Sequence, residues 1–524
     1  MARMKLLAAR KAKTVKTAKA PAKEVGPGSR GWTGRGGGMA QLLPSVREYR
    51  GTTVQVCGLW PFSSGASSPM IGVPLGRHEE TQATVCCDPI SWFQRARLIS
   101  NPSAFVLGKP GLGKSTVVRR MFIGLSAQGV HPLILGDLKG EHVKAVKALG
   151  GQVIKLGRGV GYMNILDPGQ AVEAAQLLED SGHHEDAARV RADAHGRRLT
   201  IVVSLITISR NNPPTDQEQT ILDRALRVLD ERFEGVPVLR DLLDVIVSAP
   251  DELRQVALDR GDMNIYLQET RALEATLLGL TGGGKLGEIF SRQTTNPIKR
   301  DRAVVFDVSS IDETETDLQA AVLLACWSYG FGTVNVANAL ADAGLEPRRN
   351  YFVVLDELWR ALRAGKGMVD RVDALTRLNR SVGVGQIMIS HTMSDLLALP
   401  AEEDRMKARG FVERSGMVIC GGLPASEMPL LTSAIPLSRQ EQQKLISWQD
   451  PPAWDSRGVD VEPPGRGKFL IKVGGRPGIP VQVGLTSVEH GPDGVNDTDG
   501  KWHGSAEPLL DPAAPILPIE GGPL

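Results

Sequence analysis

The chain has 524 residues, 42% of them hydrophobic and 5% aromatic, and its formal net charge is +2. This length allows two to four domains with at least one large core, and the near-neutral charge singles out no class of partner. The five cysteines form no C-x-x-C pair, and their odd number argues against a disulfide framework, which favours a reducing cytoplasm.

Residues 1–40 are predicted to be a disordered basic tail, because eight Lys or Arg residues precede the single acid, Glu24, and a glycine-rich run follows. Two interpretations stay open: an electrostatic arm for nucleic acid or anionic lipid, and a tail that only aids solubility. Residues 41–100 are expected to form a small β-rich N-terminal segment, because "TTVQVCGLW" and "ATVCCDPISWF" are β-like runs between Gly, Ser and Pro loops.

From residue 101 onwards, apolar strands alternate with helical patterns. The predicted strands are "SAFVLG", "HPLILGDLKGEH", "GQVIKLG", "RAVVFDVSS", "NYFVVLDELW", "GVGQIMISHT", "GMVICGG", "GKFLIKV" and "IPVQVGL". Their continuous apolar runs predict an α/β fold with a mostly parallel central sheet covered on both faces. We place this domain at 101–168 and 301–488, with an all-α insertion at 169–300 and a disordered tail at 489–524.

One uncharged stretch, "LQAAVLLACWSYGFGTVNVANALA" at 318–341, is long enough to cross a membrane. It also contains Gln319, Asn335 and Asn338 and two glycines midway. We therefore predict a buried helix that covers the sheet.

A glycine-rich loop, "GKPGLGKST", follows the first of these strands and opens a helix. It matches the phosphate-binding P-loop pattern, with Gly108, Lys109, Pro110, Gly111, Leu112, Gly113, Lys114, Ser115 and Thr116 as the nucleotide-binding residues. Glycines let backbone N–H groups surround phosphate oxygens, and the helix N-terminus adds positive partial charge. We expect Lys114 to reach the β- and γ-phosphates, Ser115 to bind Mg²⁺ and Thr116 to donate to the α-phosphate.

A pair of acids is predicted to complete the nucleotide site. The strand "YFVVL" is followed directly by Asp356 and Glu357. At the carboxyl end of a strand, Asp356 would hold Mg²⁺ through water and Glu357 would polarise the attacking water. About 240 residues and at least one further strand separate Lys114 from Asp356, so the sheet has additional strands. The sequence has no N-K-x-D motif for guanine, which favours ATP.

The strand after Asp356 ends in "IMISHTMSDL". In P-loop ATPases with an additional strand, a polar side chain at this tip senses the γ-phosphate, and Ser390 or His391 takes that place here. An imidazole can donate to phosphate, although an ordinary histidine at a strand end stays the alternative for His391.

Together these segments resemble the HerA–FtsK branch of P-loop ATPases, and more closely the conjugative-transfer ATPases that energise type IV secretion (TraC-like, VirB-type). "LGDLKGEH" resembles the family's D-x-K-G-E signature at Asp137, Lys139 and Glu141. "NPSAFVLGKPGLGKST", "GYMNILDP" and "VVLDELW" resemble its P-loop entry, its Asn-x-Leu-Asp turn and its Walker B strand. The likeness spans about 75–485. It departs at His391, where the family usually has glutamine, and in the short N-terminal segment.

The resemblance implies a RecA-like, additional-strand P-loop NTPase fold, Mg²⁺-dependent ATP hydrolysis and an active hexamer with each ATP at a subunit boundary. A cation from the next subunit would then cover the γ-phosphoryl group, and Arg380 and Arg414 are the candidates; each is otherwise an ordinary surface arginine. The implied partners are further copies of this chain and conjugation channel proteins, with DNA and the cytoplasmic face of the inner membrane as further candidates.

Two other functions stay open. A DNA translocase or coupling ATPase (TraG-, FtsK- or HerA-like) would act on DNA directly, and a basic segment such as Arg363 and Lys366 in "RAGKGMVDR" would then face a pore. A nucleotide-bound scaffold would not hydrolyse ATP, and the presence of Lys114, Asp356 and Glu357 weighs against it.

Overall fold

The computed structural model describes residues 70–282, 284, 286–377, 383–451, 463–486, 489 and 494–495. The predicted basic tail at 1–40, the run "TTVQVCGLW" and Arg380 lie outside these residues, and so does most of the predicted tail at 489–524.

Within the described residues, eleven strands pair into one sheet. In chain order they are β1 (Pro74–His78), β2 (Thr84–Cys86), β3 (Ser103–Leu107), β4 (Val130–Asp137), β5 (Gln152–Lys155), β6 (Val304–Asp307), β7 (Asn350–Leu355), β8 (Val384–Ile389), β9 (Met417–Cys420), β10 (Lys468–Lys472) and β11 (Ile479–Val483). Their order across the sheet is β2-β1-β11-β10-β9-β3-β8-β7-β4-β6-β5. The seven strands from β9 to β5 are parallel and the other four are antiparallel, which confirms the mostly parallel α/β fold.

Seventeen α-helices occur in the same described part of the chain. They are α1 (Pro89–Gln94), α2 (Lys114–Ser126), α3 (Val143–Ala148), α4 (Ala171–Asp180), α5 (His184–Arg210), α6 (Asp216–Arg232), α7 (Leu239–Val247), α8 (Asp251–Val256), α9 (Met263–Thr281), α10 (Gly287–Phe290), α11 (Thr316–Asp342), α12 (Leu358–Arg363), α13 (Met368–Arg377), α14 (Met393–Leu397), α15 (Glu402–Glu413), α16 (Met428–Ala434) and α17 (Arg439–Ser447). Helices α4 to α10 lie between β5 and β6 in sequence, where the all-α insertion is predicted.

The sheet separates two apolar cores, because successive side chains of a strand point to opposite faces. In β3, Phe105 and Leu107 belong to one core, whereas Ala104 and Val106 belong to the other. The first core also contains the side chains of α5 and α11, and the second contains those of α2. Burial on both faces explains why the central strands read as unbroken apolar runs.

The apolar helix α11 packs on the sheet. Trp327 donates its indole N–H to the Leu135 carbonyl of β4 at 2.7 Å, and a Cβ on Gly330 would collide with Leu135. By length and composition α11 could cross a membrane, but 83% of its most apolar window is buried inside the structure. The structure thus has the buried helix that the sequence predicts.

The described part of the 41–100 segment differs from the prediction in one respect. In "ATVCCDPISWF" only Thr84–Cys86 is a strand, and α1 begins at Pro89. Asp88 causes the change, because its carboxylate accepts the Ser91 N–H at 2.6 Å and so caps the helix, with proline in the first turn. The prediction of a β-run through this stretch was wrong. Strands β1 and β2 extend the main sheet through β11.

A partly exposed charge cluster joins α5 to α6. The His195 Nε2 atom lies 2.7 Å from Asp223 Oδ1, and its Nδ1 atom lies 3.7 Å from Asp230 Oδ2. Arg198 donates two hydrogen bonds to Asp230, at 2.7 and 2.6 Å.

This cluster predicts a pH-dependent contribution to stability. The hydrogen bond to Asp230 raises the pKa of His195 above its usual value of 6.5. Burial acts to lower this pKa, and the hydrogen bond and charge of Asp223 add to the rise. A group with a raised folded-state pKa contributes its full stability below the unfolded pKa and loses it as the pH rises through the folded pKa. As the pH rises above about 6.5, we expect the melting temperature of wild type to fall more steeply than that of His195→Gln.

Differential scanning fluorimetry measures the melting temperature of each protein at several pH values, which gives the slope of melting temperature against pH. His183→Gln is the control, since its ring lies 3.7 Å from Asp186 with its side chain 41% exposed. Equal slopes for wild type and His195→Gln would contradict the prediction.

Candidate nucleotide site

The P-loop follows β3 and is tied to both neighbouring strands. The Gly108 N–H donates to the His391 carbonyl beyond β8 at 2.9 Å, and the Lys109 N–H donates to the Gly422 carbonyl beyond β9 at 3.1 Å. The first of these bonds joins the loop to the tip of the predicted sensor strand, and the second joins it to the segment after β9.

The glycines of the loop take backbone conformations that other residues avoid. Gly111 has φ +80° and Gly113 has φ +95°, both in the left-handed region, and a Cβ on Gly111 would meet no atom within 4 Å. Helix α2 begins directly after Gly113, and no side chain in the described structure caps it. Its first N–H groups therefore point to an open concave loop, which suits phosphate oxygens.

Lys114 is buried beneath this loop. Lys114 is only 8% exposed, and its Nζ atom donates to the Gly108 carbonyl at 2.6 Å. Burial lowers the pKa of Lys114 to about 8, although the negative charges of Glu357 and Asp356 act to raise it. A buried ammonium beside neutral carbonyl groups is favourably placed for an incoming anion.

Asp356 and Glu357 follow β7 on the same edge of the sheet. Asp356 accepts the Glu357 N–H at 2.8 Å, and burial together with the Glu357 charge raises the pKa of Asp356. Glu357 itself has φ +49° and ψ +41°, a left-handed conformation that is rare outside glycine and costs about 1–3 kcal/mol. Such strain is typical of functional positions, where it fixes the direction of a side chain.

The Glu357 carboxylate is almost fully buried and has three neighbours. Trp359 donates its indole N–H to Oε2 at 2.6 Å, while Lys139 Nζ and His391 Nε2 lie 3.5 and 3.3 Å from Oε1. Burial alone would raise the pKa of Glu357, but the hydrogen bond and charge of His391, with Lys139 and Trp359, hold it below its usual range. The carboxylate is therefore charged at neutral pH.

Lys139 reaches this site from the loop after β4. Asp137 anchors the loop by accepting the N–H groups of Glu141 at 3.0 Å and of His142 at 2.7 Å. The D-x-K-G-E segment thus brings a second lysine toward the Glu357 carboxylate, a position that spacing along the chain does not reveal.

Both candidate sensors lie at the tip of β8. The Ser390 Oγ and His391 Nδ1 atoms are buried and have no hydrogen-bond partner in the described part of the chain. His391 is the one that contacts Glu357, so the structure favours it over Ser390 as the group nearest the acidic pair.

The residues present fit a magnesium nucleotide. Ser115 and Asp356 supply hard oxygen atoms, and no group of three His, Cys, Asp or Glu side chains suited to a metal occurs among the described residues. Mg²⁺ commonly binds one or two protein oxygens and completes its shell with water and substrate phosphate, as this donor set requires.

Arg414 lies away from this site. It precedes β9, so it stands near the amino ends of the parallel strands, whereas the P-loop follows the carboxyl end of β3. Its guanidinium donates to Asp373 at 2.7 Å and its side chain is 53% exposed. Arg414 thus does not serve the P-loop of its own chain, and its role toward a neighbouring copy stays a prediction.

Comparison with known proteins agrees with this geometry. Residues 75–326 match the family model described as "Helicase HerA, central domain". The chain has a P-loop NTPase fold, and the matched segment, just under half of its length, is similar to the HerA central domain. The match includes the P-loop and the D-x-K-G-E segment and ends before β7.

Solved structures similar to this chain include VirB4 of Thermoanaerobacter pseudethanolicus, which is 19% identical, covers 82% of this chain and 99% of its own, and has a TM-score of 0.56. This likeness shows a shared fold. The plasmid coupling protein TrwB in complex with ADP and Mg²⁺ is 13% identical over 81% of this chain and 97% of its own, with a TM-score of 0.45. No curated protein sequence matches the chain.

We predict that replacing Lys114 and replacing Lys109, the two lysines of the loop, affect nucleotide binding differently. Lys114→Ala removes the buried cation, so we expect the Kd for Mg-ATP to rise at least about 100-fold, in line with the loss of a charge-assisted contact. Lys109→Ala is the matched control, because Lys109 Nζ donates to Gln449 at 2.8 Å, whereas its backbone N–H donates to Gly422. Its Kd should change less than about 3-fold.

Titration with a fluorescent ATP analogue gives both constants. Similar losses in the two variants would show that general loop damage, rather than the Lys114 charge, controls binding.

Proposed function

We propose that the chain is an ATP-hydrolysing motor that powers conjugative transfer or type IV secretion, acting as a homo-oligomeric ring, a hexamer by family resemblance. The observation that carries the proposal is the convergence of Lys114, Asp356, Glu357 and His391 at one edge of the parallel sheet. A buried carboxylate that lies beside a P-loop and is unprotonated at neutral pH can orient and polarise the attacking water, which a nucleotide-bound scaffold does not need.

In this mechanism the P-loop N–H groups, Lys114 and Thr116 bind the phosphates of ATP. Ser115 directly and Asp356 through water would hold Mg²⁺, which would supply positive charge to offset that of the phosphates. Glu357 accepts a proton from the attacking water through Oε1. His391 and Lys139, which both face that oxygen, donate to the γ-phosphoryl group as its negative charge develops.

Two observations support a conjugative role over other NTPase roles. The fold is shared with VirB4, and the D-x-K-G-E and Walker B segments resemble those of the type IV secretion ATPases. We place the motor in the cytoplasm, at the inner face of the cell membrane, with channel proteins as its partners.

A DNA translocase is the second candidate, because the matching family model is described as a helicase. ATP turnover measured with and without DNA separates the two candidates. Strong stimulation by DNA would favour the translocase, and indifference to DNA would favour a secretion motor.

The role of Glu357 predicts a separation of binding from hydrolysis. Glu357→Gln keeps the shape but loses the base, so it should bind Mg-ATP like wild type and hydrolyse it at least about 100-fold more slowly. Asp307→Asn is the control, since Asp307 also ends a parallel strand, and among the described residues its carboxylate hydrogen-bonds to Ser309, two positions on. Phosphate release measures turnover, and a wild-type rate for Glu357→Gln would show that the base lies elsewhere.

Hydrolysis at subunit boundaries predicts complementation between two inactive variants. Arg414→Ala should bind ATP without hydrolysing it, and mixing it with Lys114→Ala should restore turnover, since mixed rings contain boundaries with both residues intact. Arg409→Ala is the control, since Arg409 and Glu413 pair on the solvent-facing side of the same helix.

Failure of rescue would exclude Arg414 and leave Arg380 as the candidate. Full wild-type turnover by a monomer at every concentration would contradict a shared site altogether.

A further inference from the structure

We propose that Trp359 is a positioning residue that fixes the orientation of the Glu357 carboxylate, and that Arg363 and Asp395 in turn link Trp359 to the segment after the sensor strand. The inference rests on the proposed role of Glu357 as the general base. It assigns functions to three side chains beyond the P-loop, the acidic pair and the sensor.

The two oxygens of Glu357 have different surroundings. Oε2 accepts the Trp359 indole N–H at 2.6 Å, whereas Oε1 faces Lys139 and His391. Lys139 comes from the loop after β4 and His391 from the tip of β8, so Oε1 faces the two groups proposed to donate to the γ-phosphoryl group and is taken as the oxygen on the nucleotide side. With Oε2 held, rotation of the carboxylate is restricted and Oε1 stays directed toward the attacking water.

Indole is suited to this task because its N–H only donates. Trp359 cannot take a proton from Glu357, so it holds the charged carboxylate without competing in proton transfer. A tryptophan ring also has only two side-chain torsions, and its large area is easily fixed by neighbouring groups.

Two arginines and the sensor histidine surround the ring. The guanidinium carbons of Arg360 and Arg363 lie 4.8 and 4.6 Å from the Trp359 ring centroid, and the His391 ring lies 6.4 Å from it. Arg360 also donates to Gln319 of the buried helix α11 at 2.7 Å. Cation–π contacts of this kind attract the guanidinium groups to the ring face and so help to fix the ring.

Arg363 extends this cluster to the segment that follows β8. It donates to the carbonyl of Asp395 and lies 3.4 Å from the Asp395 Oδ1 atom. Asp395 Oδ2 accepts the Thr392 hydroxyl at 2.8 Å, and Thr392 directly follows His391. Glu427 accepts the N–H of Met393 at 2.8 Å, so the start of α14 is also held from the other side.

The base and the sensor are therefore connected by side chains as well as by the sheet. A displacement of the segment after His391 would reach Glu357 through Asp395, Arg363 and Trp359. This arrangement makes the direction of Oε1 depend on the position of the sensor, which is the property a nucleotide-sensing motor requires.

The test compares two Trp→Phe variants of the full-length chain. Trp359→Phe keeps the ring and removes the N–H donor, so kcat should fall about 10- to 100-fold while KM and the Kd for Mg-ATP stay within about 2-fold. Trp327→Phe is the matched control. It also removes an indole N–H bond, to Leu135 at 2.7 Å, and should lower the melting temperature with little change in kcat.

A double-mutant cycle with Glu357→Gln shows whether Trp359 acts through Glu357. In the Glu357→Gln background, measured by single-turnover hydrolysis, Trp359→Phe should have less than about a 2-fold effect. If Trp359→Phe keeps wild-type kcat, or if its loss persists undiminished in the Glu357→Gln background, the positioning role is wrong.

These outcomes separate the two proposals. A slow Glu357→Gln with an unaffected Trp359→Phe overturns only the inference, whereas a wild-type rate for Glu357→Gln overturns the base assignment itself. Should Trp359→Phe fold poorly, Arg363→Gln tests the same link from a partly exposed position. It should lower kcat about 3-fold or more with unchanged Mg-ATP affinity, and no change in kcat would contradict the link.

Discussion

Parallel pairing of β3 with β8 and β9 is the constraint on which the site depends. Parallel strands deliver their carboxyl ends to the same edge of the sheet, so the P-loop after β3, the acidic pair after β7 and His391 after β8 meet there. The Gly108–His391 and Lys109–Gly422 backbone bonds then hold the loop to both neighbours. A change in register of one strand would separate these groups, because each step along a strand is about 3.3 Å.

The site also requires partners for the buried charge of Glu357. Glu357 is 4% exposed, and a carboxylate without partners at that depth would cost several kcal/mol. Lys139, His391 and Trp359 come from three different segments, and each of them has to approach for the charge to remain. The same contacts that offset the burial of Glu357 also direct it, so stability and the proposed catalytic geometry share one set of side chains.

The predictions from sequence held where local chemistry dominates. All nine predicted strands are present in the sheet, because each is an apolar run bounded by turn residues. The stretch "ATVCCDPISWF" failed, since apolar composition favoured a strand while the Asp88 cap and the following proline favoured a helix. Trp359 was missed because a tryptophan two residues after Glu357 reads as a core side chain, and its donor function depends on where Glu357 points.

The sequence by itself determined the fold class, the P-loop and the acidic pair, because these depend on short-range patterns: apolar runs, glycines in a strained loop, and acids at a strand end. Only the tertiary structure decided which groups meet. Lys139 lies 218 positions before Glu357, and it reaches Oε1 because β4 and β7 are paired neighbours. Arg414 lies 23 positions after His391 in the sequence. It nevertheless stands away from the P-loop, because it precedes β9 instead of following a strand as His391 does. Strand order and direction are set by packing over the whole sheet, which no local pattern contains.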